Sequence, residues 1–170
     1  ERLTYGSHNV YLNDISPDGK KLLCSTSKPD ITRCPFSLSS LFEIDLTTLQ
    51  ADTLVAWDAY LGSASYSPDG KQLLVTGSPS AFGGIGKNCG EHPIANDFDT
   101  QAFIMDLATK KVQAITRDFN PTVSPVQWNR VDGCIYFDTT DGDCRHIYRY
   151  VPKTGGFEML PLEEDVITSF

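Results

Sequence analysis

Apolar and polar positions alternate along this chain in short bursts, punctuated by Pro, Gly, Asp and Asn. The pattern is clearest at Tyr66-Ser67-Pro68-Asp69-Gly70-Lys71-Gln72-Leu73-Leu74-Val75-Thr76. One apolar run ends, Ser-Pro-Asp-Gly reverses the chain, and a second apolar run begins at once. Pro68 pre-sets φ for a turn, and Asp69-Gly70 offers the positive-φ pair that a two-residue hairpin needs. Leu73-Leu74-Val75 has no polar alternation, which predicts a strand buried on both faces. The unit recurs at Ile15-Ser16-Pro17-Asp18-Gly19-Lys20-Lys21-Leu22-Leu23. A weaker copy stands at Trp128-Asn129-Arg130-Val131-Asp132-Gly133-Cys134-Ile135-Tyr136-Phe137.

Aligned on Ile15, Tyr66 and Trp128, the copies are 51 and 62 residues apart. Propeller blades of four strands run to about 40–50 residues before insertions, so these periods point to a repeat array. The second half of each unit repeats as well. Leu41-Phe42-Glu43-Ile44-Asp45-Leu46-Thr47-Thr48 matches Ala102-Phe103-Ile104-Met105-Asp106-Leu107-Ala108-Thr109, and Ile147-Tyr148-Arg149-Tyr150-Val151-Pro152-Lys153-Thr154 is the third copy. Short strands are expected after each: Thr53 to Ala56, Val112 to Thr116 and Phe157 to Leu160.

Helical periodicity is nearly absent. The expected fold is all-β: a partial β-propeller of about three four-stranded blades plus single strands of flanking blades. The blades are expected at 8–57, 60–117 and 121–161, with a blade remnant at 1–5 and the first strand of the next blade at 165–170. A β-sandwich or an unrelated repeat is the alternative. Glu1 at the start and the apolar run Val166–Phe170 at the end both read as cuts from something larger. Such a cut would leave two blade flanks uncovered, so apolar patches at both ends, and self-association through them, are expected.

Charge narrows the partners. The net charge is -8 with Lys and Arg scattered, which argues against nucleic acid or an anionic membrane surface as the main partner. No apolar run approaches the ~18 residues of a membrane helix, so no membrane span is expected.

Between the second and third strands of a blade the loops open on one rim. The first runs from Ser27 to Ser39 with Lys28, Asp30, Arg33 and Cys34, the second from Gly77 to Asp99, and the third is a tight Asp141-Gly142 reversal. Long loops in compact domains are often functional, although packing against a neighbouring blade explains them as well. The second loop carries Gly83-Gly84-Ile85-Gly86-Lys87-Asn88-Cys89-Gly90-Glu91-His92. A P-loop requires Ser or Thr after the Lys and an earlier Gly, but Asn88 and Ala81 stand there. The glycines are better read as letting the loop turn sharply, and no cofactor is expected.

Five cysteines (Cys24, Cys34, Cys89, Cys134, Cys144) include no CxxC pair, and no HExxH occurs, so no metal site is expected. Cys34 and Cys89 lie in corresponding loops of neighbouring units, which makes them the disulfide candidate, since a bridge needs Cα atoms within about 7 Å. The alternative is five free thiols. Glu163-Glu164-Asp165 is read as a solvated turn, not a paired-carboxylate site. No GxSxG elbow occurs, so no catalytic residues can be assigned, and substrate-binding residues stay open.

These repeats resemble the propeller half of the prolyl oligopeptidase and dipeptidyl peptidase family of serine peptidases. The resemblance is carried by Ser16-Pro17-Asp18-Gly19-Lys20, Ser67-Pro68-Asp69-Gly70-Lys71, Ser78-Pro79-Ser80-Ala81-Phe82-Gly83-Gly84-Ile85-Gly86, the run Phe119 to Trp128, and His146-Ile147-Tyr148-Arg149-Tyr150. Ser-Pro-Asp-Gly-Lys by itself is shared with TolB-type propellers and propeller lyases. The resemblance implies a non-catalytic propeller that gates short peptide substrates and docks on a downstream α/β-hydrolase domain, in a secreted or periplasmic protein. The acidic motif by which dipeptidyl peptidases hold a substrate's amino terminus has no match here. Rival expectations are a TolB-like propeller acting as a protein-interaction scaffold and, behind it, a carbohydrate-active propeller.

Overall fold

The computed structural model describes residues 3–4, 8–89, 97–119, 121–141 and 143–162. The expected flanking strands at 1–5 and 165–170, and Glu163-Glu164-Asp165, lie wholly or mostly outside these residues. Among the described residues, twelve strands form three antiparallel sheets in chain order. The first holds β1 (Val10–Ile15), β2 (Lys21–Pro29), β3 (Ser37–Asp45) and β4 (Ala51–Asp58). The second holds β5 (Leu61–Tyr66), β6 (Gln72–Gly77), β7 (Gln101–Asp106) and β8 (Val112–Ala114). The third holds β9 (Thr122–Trp128), β10 (Ile135–Asp141), β11 (Cys144–Val151) and β12 (Gly156–Met159). Each sheet is a meander whose strands pair with their sequence neighbours. This is a partial β-propeller.

The apolar runs make the sheets two-sided. Leu73, Leu74 and Val75 are 0%, 2% and 1% exposed, as the unbroken run required. Successive strand residues point to opposite faces, so Leu73 and Val75 pack with Leu23 and Leu41 of the first sheet. Leu74 packs the other way, with Val123, Ile135 and Phe137 of the third. In β7, Phe103 and Met105 join the first cluster, while Ala102 and Ile104 join the second.

The Ser-Pro-Asp-Gly turns differ from the expected two-residue hairpin. Only the glycine takes positive φ, at 71° for Gly19 and 69° for Gly70. Ser16 N donates to Lys21 O and Gly19 N to Ser16 O, so the loop is four residues long and built on a type I turn. The serine and aspartate explain the choice. Ser16 Oγ donates to Asp18 Oδ1 at 2.7 Å and accepts from Lys21 N at 2.9 Å. Ser67 and Asp69 repeat this with Gln72 N at 3.0 Å. These bonds hold the Asp18 and Asp69 carboxyls below the usual range, the serine hydroxyl being the chief cause. In the third sheet Asn129 Oδ1 accepts from Val131 N, and Gly133 keeps the positive φ. At the far ends of β3, β7 and β11, Leu49, Lys110 and Gly155 take the left-handed conformation at corresponding positions.

The two outer faces differ in chemistry among the described residues. On the first sheet, Leu12 and Ile15 are 58% and 46% exposed. The outer face of the third instead carries the Asp138–Arg145 and Arg149–Glu158 ion pairs. Polar residues there alternate with the buried Ile135 and Phe137, so the strand pattern itself sets that face's chemistry.

Candidate functional site

The loop-bearing rim holds a cleft of about 710 Å³ to which all three sheets contribute. It forms because the β2–β3 loop, the β4–β5 connection and the β6–β7 loop all emerge on that side. The first loop is shorter than expected, because β2 and β3 extend to Pro29 and Ser37. Asp30 N donates to Phe36 O, and the Asp30 carboxylate accepts from Thr32 and from Arg33 Nε. Thr32 first, and then Arg33, keep that carboxyl below its ordinary pKa. This small network carries Cys34 and Pro35 to the cleft wall.

Asp58, the last residue of β4, organises the next wall. Its carboxylate accepts from Tyr60 N at 2.8 Å and from Phe82 N at 2.7 Å. The start of the long loop is thereby tied to the connection between sheets. Phe82 packs on Phe103 with ring centroids 5.1 Å apart, and Ala81 is fully buried. Gly83 and Gly84, at φ 74° and 86°, make the sharp turn expected of them. Ala81 and Phe82, at the start of this loop, therefore pack against the junction of the first two sheets, while further on Asn88 Nδ2 donates to Asp118 Oδ1, beyond β8, at 3.0 Å. His92, with Gly90 and Glu91, lies outside the described residues.

The loop's return supplies the acidic side. Asp97 Oδ1 accepts from Ser78 Oγ at 3.3 Å, and Asp99 Oδ1 accepts from Thr122 Oγ1 at 2.9 Å. Each has a second oxygen besides the one these hydroxyls occupy. Phe98, between them, is 98% exposed. Tyr60, Leu61, Gly62 and Ser124 complete a surface that is apolar in the main. Among the described residues, neither Lys, Arg nor His lines the cleft, so a ligand meets two carboxylates with no compensating cation from them. Without a histidine in that lining, Ser78 and Ser124 have no described imidazole there to take their protons.

Cys34 is exposed in the cleft wall, Cys89 is half-buried, and both stand as free thiols in the structure. Among the described residues, no group of three or more His, Cys, Asp or Glu side chains is placed to hold a metal ion. No helix of the described residues is long and apolar enough to cross a membrane. Sequence reasoning missed Tyr60, Asp97 and Asp99. The available signal was an acidic-aromatic-acidic triplet where the long loop ends.

No protein-family model matches the chain, and no curated protein sequence matches it. Solved structures do. The chain is similar to TolB from Acinetobacter baumannii, with TM-score 0.64 and 22% identity over 96% of this chain and 35% of that one. It is also similar to the β-propeller domain of the trilobed protease from Pyrococcus furiosus, with TM-score 0.60, 12% identity, and 92% and 44% of the two chains covered. The acylaminoacyl peptidase of Pyrococcus horikoshii matches with TM-score 0.56 and 16% identity over 89% of this chain and 25% of that one. The chain thus spans under half the length of each of these proteins. Their common ground is the propeller fold, and at these identities the likeness is one of fold.

Proposed function

We propose that the chain is the non-catalytic propeller portion of a serine peptidase related to the prolyl oligopeptidases, and that its rim cleft admits short peptides to an α/β-hydrolase domain. The observation that carries this reading is the cleft itself, concave, largely apolar and walled by loops of three successive sheets. Asp97 and Asp99 suit a cationic group on the peptide, because charge-assisted hydrogen bonds to carboxylates are the stronger kind. The match to peptidase propellers supports the same reading.

A second reading, a TolB-like interaction scaffold, is favoured by the match to TolB over nearly the whole chain. The two separate on the full-length protein. The peptidase reading expects a GxSxG motif followed by Asp and then His in the reading frame after Phe170. It also expects cleavage of a chromogenic X-Pro dipeptide amide by the full-length protein and none by this chain. A full-length protein lacking both leaves the scaffold. The Cys34–Cys89 bridge is proposed as an oxidised form of the rim. Alkylation of the oxidised protein with and without reductant should then give masses differing by two alkyl groups, and equal masses rule the bridge out.

A further inference from the structure

We propose that a second depression on the rim, on the first sheet, binds an oxyanion, a carboxylate or phosphate, carried on a ring or other apolar body. The depression has a volume of about 380 Å³ and is lined by His8, Asn9, Ser27, Lys28, Pro29, Phe36 and Ser37. In a chain of net charge -8, its described lining contains a lysine and a histidine but no carboxylate. Asp30 is the acidic residue nearest in sequence, and Thr32 and Arg33 occupy both its oxygens. Donors therefore outnumber charged acceptors: the Lys28 ammonium, the His8 ring, the Asn9 amide and the Ser27 hydroxyl, while Ser37 Oγ donates to Lys28 O at 3.5 Å.

The apolar half of the site is aromatic. Lys28 Nζ lies 4.0 Å from the centroid of the Trp57 ring, and the His8 ring centroid lies 6.1 Å from that of Trp57. Phe36, in the lining, is 64% exposed, so the ligand's body has apolar surface to cover. Trp57 is held at φ +47°, in the left-handed region that a bulky residue rarely adopts. The indole lies beneath Lys28, where β3 and β4 are out of regular register between Ser39 and Leu41. A cation parked on an exposed indole face is held weakly enough to swing onto an incoming anion.

The loop Asp30–Phe36 divides this depression from the acidic cleft, with Cys34 and Pro35 on one wall and Phe36 on the other. The proposal does not depend on the peptidase reading, since the two depressions share no described lining residue.

Trp57 reports on the site directly. In a Trp128→Phe variant it is the sole tryptophan, and titration with benzoate or with inorganic phosphate should give a saturable change in its emission. Benzamide, a neutral isostere of benzoate, should bind about tenfold more weakly, as expected for the loss of one charge-assisted hydrogen bond. Lys28→Met should abolish the benzoate response. Amide chemical shifts of Ser27 and Ser37 in the unsubstituted chain give the same reading without a tryptophan change. A response to benzoate assigns a carboxylate site, and a response to phosphate alone assigns a phosphate site. Neither anion saturating, benzamide matching benzoate, or an unchanged affinity in Lys28→Met would overturn the proposal.

Discussion

The two junctions between sheets bury corresponding strands but are held by different chemistry. Between the first and second sheets, the apolar cluster encloses a polar tie: Tyr66 Oη donates to Glu43 Oε1 at 2.7 Å, and Lys21 Nζ donates to Glu43 Oε2 at 2.9 Å. Asp14 adds another, accepting from Tyr66 N at 2.8 Å. Between the second and third sheets, the place of Glu43 is taken by Ile104, which packs with Val123, Ile135 and Phe137. Behind Phe137 stand Phe119, Tyr150 and Phe157 with centroids 6.5, 6.4 and 5.9 Å away. One junction is therefore directional in its interior, while the other is packed by apolar side chains and hydrogen-bonded at its rim, where Thr122 Oγ1 donates to Asp99 and Val123 N to Thr100 O. Sheet stacking fixes where a side chain sits, and the residue there decides whether it acts by hydrogen bonding or by volume.

The contrast breaks most readily at the apolar junction. Phe137→Ala, at a site with no exposure, should cost about 3–5 kcal/mol, read as a lowered urea midpoint. A cost below about 1 kcal/mol, against that range for a buried phenylalanine, would mean that the third sheet is not seated on the second as described.

At the polar junction Tyr66→Phe should cost less, about 1–3 kcal/mol, because Glu43 at 5% exposure loses a donor while keeping Lys21. Adding Glu43→Leu should recover part of that loss, since a leucine there copies the Ile104 arrangement. An additive double variant would show that the two side chains are not coupled.

Alkaline pH sharpens the contrast further. Tyr66 is pushed up chiefly by burial and then by its bond to Glu43, whereas burial alone raises Tyr150. A raised folded-state pKa means that stability is intact below the ordinary tyrosine value of about 10 and is lost as pH climbs above it. Denaturant midpoints should therefore fall above about pH 10, and Tyr66→Phe should flatten the fall more than Tyr150→Phe. An equal effect of the two substitutions would remove the distinction.

The smallest effect belongs to Lys110, whose Nζ reaches Asp52 and Thr53 O across the outer edge of the first junction. Both side chains are well exposed, and Lys110→Ala should shift stability by no more than about 0.5 kcal/mol. A larger loss would make this exposed pair part of the tie.

The repeated local architecture is written in the residues themselves. Turn residues such as Ser16-Pro17-Asp18-Gly19 act through bonds to their own neighbours, and runs such as Leu73-Leu74-Val75 declare their burial through period alone. Both signals are short in range, so strand order and two-faced burial are legible in the residues alone. Even there, the loop length escaped, because the Ser16 hydroxyl reaching Lys21 N is a choice among turns that the same four residues permit. The rim, by contrast, arises from the stacking of the sheets. Cys34, Tyr60, Asp97 and Ser124 are far apart along the chain and share a cleft because three sheets stack. Lys28 meets Trp57 for a similar reason, through an irregular register that no periodicity announces.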